Sequence, residues 1–285
     1  MADAAQSPGA LANFRDIVRA DKDDAAIDLA AGALAIARME YPLLDVPYYL
    51  SRLEALAKRV RCKMRTSPTP REMIALLNRV LCDEEGLRGN RDDYYDPRNS
   101  FLNDVLDRKL GIPITLSVIY MDVAQRVGFP TAGTGMPGHF LLKHYDVMGD
   151  EIVIDPFNRG RIVGSAECQQ RLNEIYSGKV ELKPEFLQAV PHRDILVRML
   201  NNLRQIYFTR RDLTKGLAVL DFLLAIPPLN VDLLRERGLV RLSLEQYLGA
   251  AQDLGLYLKA RPEGEDAKDV EETLDMLRQL LARLN

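Results

Sequence analysis

Residues 99–160 read NSFLNDVLDRKLGIPITLSVIYMDVAQRVGFPTAGTGMPGHFLLKHYDVMGDEIVIDPFNRG, and a change of period inside this stretch decides the fold. Over 113–126 the apolar residues Leu116, Ile119, Tyr120 and Val123 keep helical spacing behind a proline at the first position, and Gly128 marks the stop. Beyond Pro130 the runs 131–135, 140–145 and 151–155 are short, β-prone and separated by Pro-Gly and Met-Gly-Asp turns, which predicts a small antiparallel sheet. A further strand is expected at 161–163 and a helix over 165–176. Asn99 is expected to cap a short helix running through Leu110 and ended by Gly111.

Upstream the reading is helical. Residues 1–12 are small and polar with Pro8 and Gly9, and are expected to form a disordered tail. A helix is expected over 23–39 on the spacing of Ala26, Ile27, Ala30, Leu34 and Met39. A second follows from Asp45 to about Cys62, with Tyr49, Leu53, Leu56 and Val60 on one face, and a third behind the capping Thr69. Residues 86–99 make a loop too long for an ordinary connection, whose Tyr94 and Tyr95 are candidates for lining a cleft. Its Asp92, Asp93 and Asp96 lack the calcium-loop pattern, so turn and cap bonding is the preferred reading.

Downstream, from about His192, a repeat emerges. Residues 213–228 align on 247–262 at an offset of 34, superposing Gly216 on Ala250, Leu220 on Leu254 and Pro228 on Pro262. Thirty-four residues is the tetratricopeptide period. Gly238 falls at the close-packing position of that repeat, whereas Arg237 and Arg241 occupy places where it prefers apolar groups. The division expected is a tail at 1–12, a core at 13–190 and helical repeats at 191–285.

Composition narrows the function classes. The 285 residues are 47% hydrophobic and 28% charged, with 38 Lys and Arg against 41 Asp and Glu, so a nucleic-acid partner is not expected. The longest apolar run, 29–37, is too short to span a membrane, and the N-terminus lacks a secretory pattern; a cytoplasmic location is expected. Cys62, Cys82 and Cys168 are unpaired in spacing and read as buried small apolar residues. No metal site and no cofactor are expected: His144 lies an odd number of residues from His139, so the two point to opposite faces, and His192 falls in a linker.

The chemistry concentrates on His139 and Asp155. They lie symmetrically about Val147, so a hairpin turning near 146–150 brings them opposite each other within a residue or two. Gly138 beside the histidine would permit close approach of a ligand. Taken singly each residue is ordinary; the pairing across one hairpin below a helix start suggests an imidazole oriented by a carboxylate.

The runs YYDPRNS, GIPITLS, PGHF and IDPFN together resemble a bacterial family of the Sir-B type, which joins a helical start, a divergent transglutaminase-like core and a tetratricopeptide-like tail; the resemblance covers residues 23–285. Transglutaminase-like domains place a nucleophilic Cys at a helix start, the His on one strand, and an Asp followed by Pro on the next. Gly128, Phe129 and Pro130 look like that family's Gly-Ile-Pro at the helix end, and counting back places Thr115 at the Cys position, with Ser117 a second hydroxyl candidate. The resemblance implies an α+β, papain-like fold and a cleft bordered by Tyr94, Tyr95, Asn99, Ser117, Gly138, Phe140 and Asn158.

A helix N-terminus favours an anion by about 0.3–2 kcal/mol, enough to bring a thiol of ordinary pKa about 8.5 near neutrality but leaving a hydroxyl protonated. Thr115 is therefore expected to cap the helix, to act as a nucleophile with His139 as base, or to make a polar contact with a ligand. Two functions follow: a binding module for a protein or peptide partner, with altered or absent catalysis, or an acyl-transfer or amide-hydrolysing enzyme using Thr115, His139 and Asp155.

Overall fold

The structure, a computed structural model, describes residues 8–145, 149 and 151–284, and it is α+β with helix predominant. The chain divides into two compact units: Asp23–Met199, and a second in which Leu200 onward is joined by the N-terminal segment up to Lys22. This differs from the expected division at 190/191.

In chain order the helices begin with α1 (Pro8–Ile17), α2 (Leu29–Ala37), α3 (Val46–Lys63) and α4 (Pro70–Asn78), which continues as a π-helical turn over Arg79–Glu84. Strand β1 (Arg88–Gly89), helix α5 (Leu102–Arg108), strand β2 (Leu110–Gly111) and helix α6 (Pro113–Arg126) follow. Next come β3 (Ala132–Thr134), β4 (Leu141–Tyr145), β5 (Glu151–Asp155), β6 (Arg161–Val163) and α7 (Ser165–Tyr176). The remainder is α8 (His192–Thr209), α9 (Leu213–Leu223), α10 (Val231–Ser243), α11 (Tyr247–Ala260) and α12 (Ala267–Leu284).

The Asp23–Met199 unit is built on α6, in which every residue from Pro113 to Met121 is buried. A helix apolar all round belongs inside a core rather than on its surface, and α6 packs against α2, α3 and β4. The α2 sequence LAAGALAIA is nearly as buried, and a Cβ at Gly32 would stand 2.9 Å from Leu196, so glycine permits that approach. The sheet runs β3-β4-β5-β6, all antiparallel, with Leu142 opposite Ile154 and Tyr145 opposite Glu151. The expected turn residues 146–148 and 150 lie outside the described residues.

Several boundaries move for identifiable reasons. The expected tail is helical from Pro8, because Ala10, Phe14 and Val18 form a buried stripe and Phe14 packs on Phe222 at 4.9 Å within its own unit; residues 1–7 lie outside the described residues. The helix expected over 23–39 is interrupted, since Asp28 leaves helical geometry to cap α2 through Ala31 N–H. The helix after Asn99 starts later, at Leu102, and ends on Lys109 in the left-handed conformation (φ 63°) rather than at Gly111. His192 opens α8 instead of lying in a linker, and Cys62 is exposed at the end of α3, off its buried Leu53, Leu56 and Val60 stripe.

In the other unit Leu220 and Leu254, superposed by the 34-residue offset, are both fully buried. A Cβ on Gly238 would lie 2.8 Å from Leu254, which explains glycine in α10. Arg237 and Arg241 displace apolar residues by pairing with acids: Arg237 bonds Asp253 through Nε and Nη2 (2.8 and 2.6 Å) and Asp221 through Nη1 (2.7 Å), while Arg241 bonds Asp253 at 2.8 Å.

Candidate functional site

Strand register brings the two predicted groups together. Asp155 ends β5 one residue beyond the Leu142–Ile154 pair, and His139 lies two residues before the start of β4, so the hairpin carries both to the same end of the strand pair. His139 Nε2 stands 2.9 Å from Asp155 Oδ2, and both side chains are buried. A ring nitrogen facing a carboxylate carries the proton, so the neutral ring holds its lone pair on Nδ1. That atom is buried and has no hydrogen-bond partner.

Asp155 also caps the 3-10 turn Pro156–Asn158, accepting from Asn158 N–H at 3.2 Å and from its amide at 2.6 Å. Burial pushes the Asp155 carboxyl upward, but the hydrogen bonds from His139 and Asn158, with the attraction of the ring, more than offset it and hold the group below the usual carboxylate range. Behind His139, Arg198 Nη2 donates to the carbonyls of Met136 and His139 (3.0 and 2.6 Å), fixing the turn that presents the ring. Gly138 in that turn has φ +71°, and its open side faces Ile175, 2.8 Å from where a Cβ would be.

Thr115 is differently engaged. It sits in the first turn of α6, fully buried, where Oγ1 accepts Ile112 N–H at 3.2 Å and donates to Asn99 C=O at 2.7 Å. It is thus neither an N-cap nor bonded to His139; its hydroxyl ties the helix start to the preceding loop. Ser117 is also fully buried, with Oγ lacking a partner.

That loop, 86–99, is ordered by two buried asparagines. Asn90 bonds the Asn99 side chain at 3.1 Å, and Asn99 Nδ2 donates to the carbonyls of Asp93 (2.7 Å) and Tyr94 (3.2 Å), so Asn99 holds the loop together rather than capping a helix or meeting a ligand. Asp96 accepts from Arg98 N–H and pairs with Arg98 and Arg108. Tyr94 packs edge-on to Phe157 (6.3 Å), which packs edge-on to His139 (6.0 Å); Tyr95 is exposed. The four sequence runs therefore meet around one cluster.

A cleft of about 300 Å³ opens beside it, lined among others by Arg91, His139, Asp155, Asn158, Cys168 and Arg171. Phe140 is not in its wall but in the core, against Gly133 and 5.3 Å from the Arg198 guanidinium. Cys168, Arg91 and Arg171 were not anticipated. The thiol reaches the cleft from α7, whose Cys168 and Leu172 make its buried stripe, and burial together with the Asp155 charge pushes the thiol up, away from thiolate. Arg91 bonds Asn158 and lies 5.5 Å from the Phe157 ring, with no carboxylate partner among the described residues. His144 is structural: its Nδ1 meets Pro130 C=O at 2.8 Å and its ring stacks on Phe129. Among the described residues no group of three or more His, Cys, Asp and Glu is placed to hold a metal ion, and no helix is long and apolar enough to cross a membrane.

A buried His–Asp pair on a hairpin beneath a central helix, followed by helical repeats, defines a transglutaminase-like domain with a tetratricopeptide tail. The profile of the Transglutaminase-like superfamily matches residues 48–201 and that of the Tetratricopeptide repeat residues 203–275. A UPF0162 protein of Xylella fastidiosa (strain 9a5c) is 38% identical over 243 residues, covering 84% of this chain and 86% of that one. Protein SirB1 of Salmonella typhimurium is 25% identical over 226 residues, covering 79% and 82%. F-box only protein 21 of Homo sapiens matches a segment, 31% identical over 140 residues, 46% of this chain and 21% of that one. The chain belongs to the transglutaminase-like superfamily and, within it, to the bacterial UPF0162 family that includes SirB1.

Proposed function

We propose that this protein is a binding module for a protein or peptide partner, held in a cytoplasmic setting, whose transglutaminase-like cleft receives a segment of the partner without processing it. The observation that carries this reading is the commitment of the Thr115 hydroxyl to Ile112 N–H and Asn99 C=O, which leaves the His139–Asp155 pair with no nucleophile on Nδ1. The thiol in the cleft wall, Cys168, is raised away from its reactive form. Arg91 offers an uncompensated cation to a partner's carboxylate or carbonyl. The repeat unit adds a second surface, on which Leu248 and Leu256 of α11 stand exposed two turns apart.

The second reading, acyl transfer or amide hydrolysis by Thr115, His139 and Asp155, draws on the same orphan Nδ1, which is where a general base would take a proton. It requires Thr115 to leave its backbone partners. The two separate in one experiment. Wild type, Thr115→Ala and His139→Ala are exposed to an electrophilic acyl probe and weighed intact, and each is screened on a peptide array. The binding reading expects no adduct in any variant and peptide signals lost in His139→Ala alone. An adduct that disappears in both variants would establish the enzyme reading instead.

A further inference from the structure

A second cavity, separate from the His139 cleft, lies within the Asp23–Met199 unit and has a volume of about 470 Å³. This is inside the size range of small-molecule sites, about 300–1,000 Å³. Its apolar wall comes from Ile27 just before α2, from Leu29 and Ala30 at its start, and from Met121 on α6; its polar groups are Thr131, His192, Gln125, the acids Asp28 and Asp122, and Arg126, which pairs with Asp122.

The polar groups fall into two sets. The charges are already used: Asp122 is bonded by Arg126 at 2.7 and 3.1 Å, and Asp28 caps α2 through Ala31 N–H at 2.9 Å. The uncharged groups are not. Thr131 Oγ1 is buried with no hydrogen-bond partner among the described residues, and the Gln125 side chain is exposed. His192 Nδ1 meets Ile27 C=O at 2.9 Å, so Nδ1 carries the proton and Nε2 of the neutral ring keeps an unused lone pair. Asp24 accepts from the backbone N–H groups of His192 and Arg193 at 2.5 and 3.1 Å, which fixes the main chain there, and the Nδ1 bond to Ile27 orients the ring.

Buried polar atoms normally find partners, and an orphan hydroxyl in the wall of a half-apolar cavity marks a place that a ligand completes. We infer that this cavity binds a small neutral molecule with an apolar body and a hydroxyl head, the body against Ile27, Leu29 and Met121 and the head between Thr131 Oγ1 and His192 Nε2. An anion is disfavoured because the wall holds two carboxylates, Asp28 and Asp122, against the single guanidinium of Arg126, which Asp122 already engages. The site does not depend on the binding reading of the other cleft, since the two share no lining residue.

The test uses the full chain and fluorine NMR with two probes, 4-fluorobenzyl alcohol and its head-less analogue 4-fluorotoluene. Saturable broadening of the alcohol is expected in wild type. Thr131→Val, which keeps the shape and removes the hydroxyl, is expected to weaken the alcohol about tenfold while leaving the toluene unchanged, the loss of one buried hydrogen bond. His139→Ala serves as the control and is expected to leave both titrations as in wild type. The inference is overturned if neither probe saturates, if Thr131→Val binds the alcohol as wild type does, or if His139→Ala removes binding. A melting curve for Thr131→Val matching wild type assures that the comparison is made on folded protein.

Discussion

Each unit of the molecule buries a cluster of ionisable side chains, and the two clusters are solved differently. In the repeat unit Arg237 and Arg241 face Asp221 and Asp253: two cations meet two anions, and all three guanidinium nitrogens of Arg237 are bonded. In the transglutaminase-like unit His139 meets Asp155 with comparable burial, but one ring nitrogen is left without a partner. A fully satisfied buried network specifies packing; a partly satisfied one carries an unmet interaction that stability alone does not explain. The contrast separates a structural ion cluster from a site.

The largest effect is expected from breaking the satisfied cluster. Asp253→Ala removes the buried carboxylate that two partly buried guanidinium groups share and should lower stability by about 3–5 kcal/mol, read by denaturant unfolding of the helical signal. Asp155→Asn should cost less, about 1.5–3 kcal/mol, because the amide oxygen still accepts from His139. The acid sign is fixed: the folded-state pKa of Asp155 lies below its unfolded value of about 3.9, so the ionised carboxylate stabilises above that pH and the contribution is lost as pH falls through the folded-state value. The stability gap between wild type and Asp155→Asn should therefore narrow in acid.

Thr115→Val should cost only about 1–2 kcal/mol, since the groups it releases, Ile112 N–H and Asn99 C=O, already stand 3.5 Å apart and can pair with each other. Peptide-array signals should survive that change, as expected for a structural tie rather than a reacting group. Smallest of all, Thr131→Val should stay within about 0.5 kcal/mol of wild type or exceed it, because the hydroxyl it removes has no partner to lose. A clear destabilisation there would mean that the hydroxyl is satisfied in solution.

How much of this could be read from the chain alone follows from the range of each interaction. The pairing of His139 with Asp155 was legible because both lie on one hairpin, where strand period and a short turn settle register. Helices α6 and α7 were legible in full, since their start and stop residues are adjacent in sequence to what they cap. Thr115 was not, because its chief acceptor is a backbone carbonyl sixteen residues upstream, and no periodicity reports such a bond. Cys168 was legible only as a buried small apolar residue, which it is; that its thiol also lines the cleft depends on how the first turn of α7 packs against other elements. That Phe140 packs against Gly133 and Arg198, and that Gly138 faces Ile175, was not legible, because these partners lie on other elements.

Asn99 has a kinetic consequence. Its main-chain oxygen receives Thr115, its side chain holds Asp93, Tyr94 and Asn90, and the Asn90 N–H in turn bonds Gly111 C=O. The amides joined by these bonds between 90 and 116 are therefore expected to exchange hydrogen together, as one cooperatively opening segment, which native-state exchange would read. Any partner that threads beside Phe157 and His139 has to work against, or wait for, that same opening event.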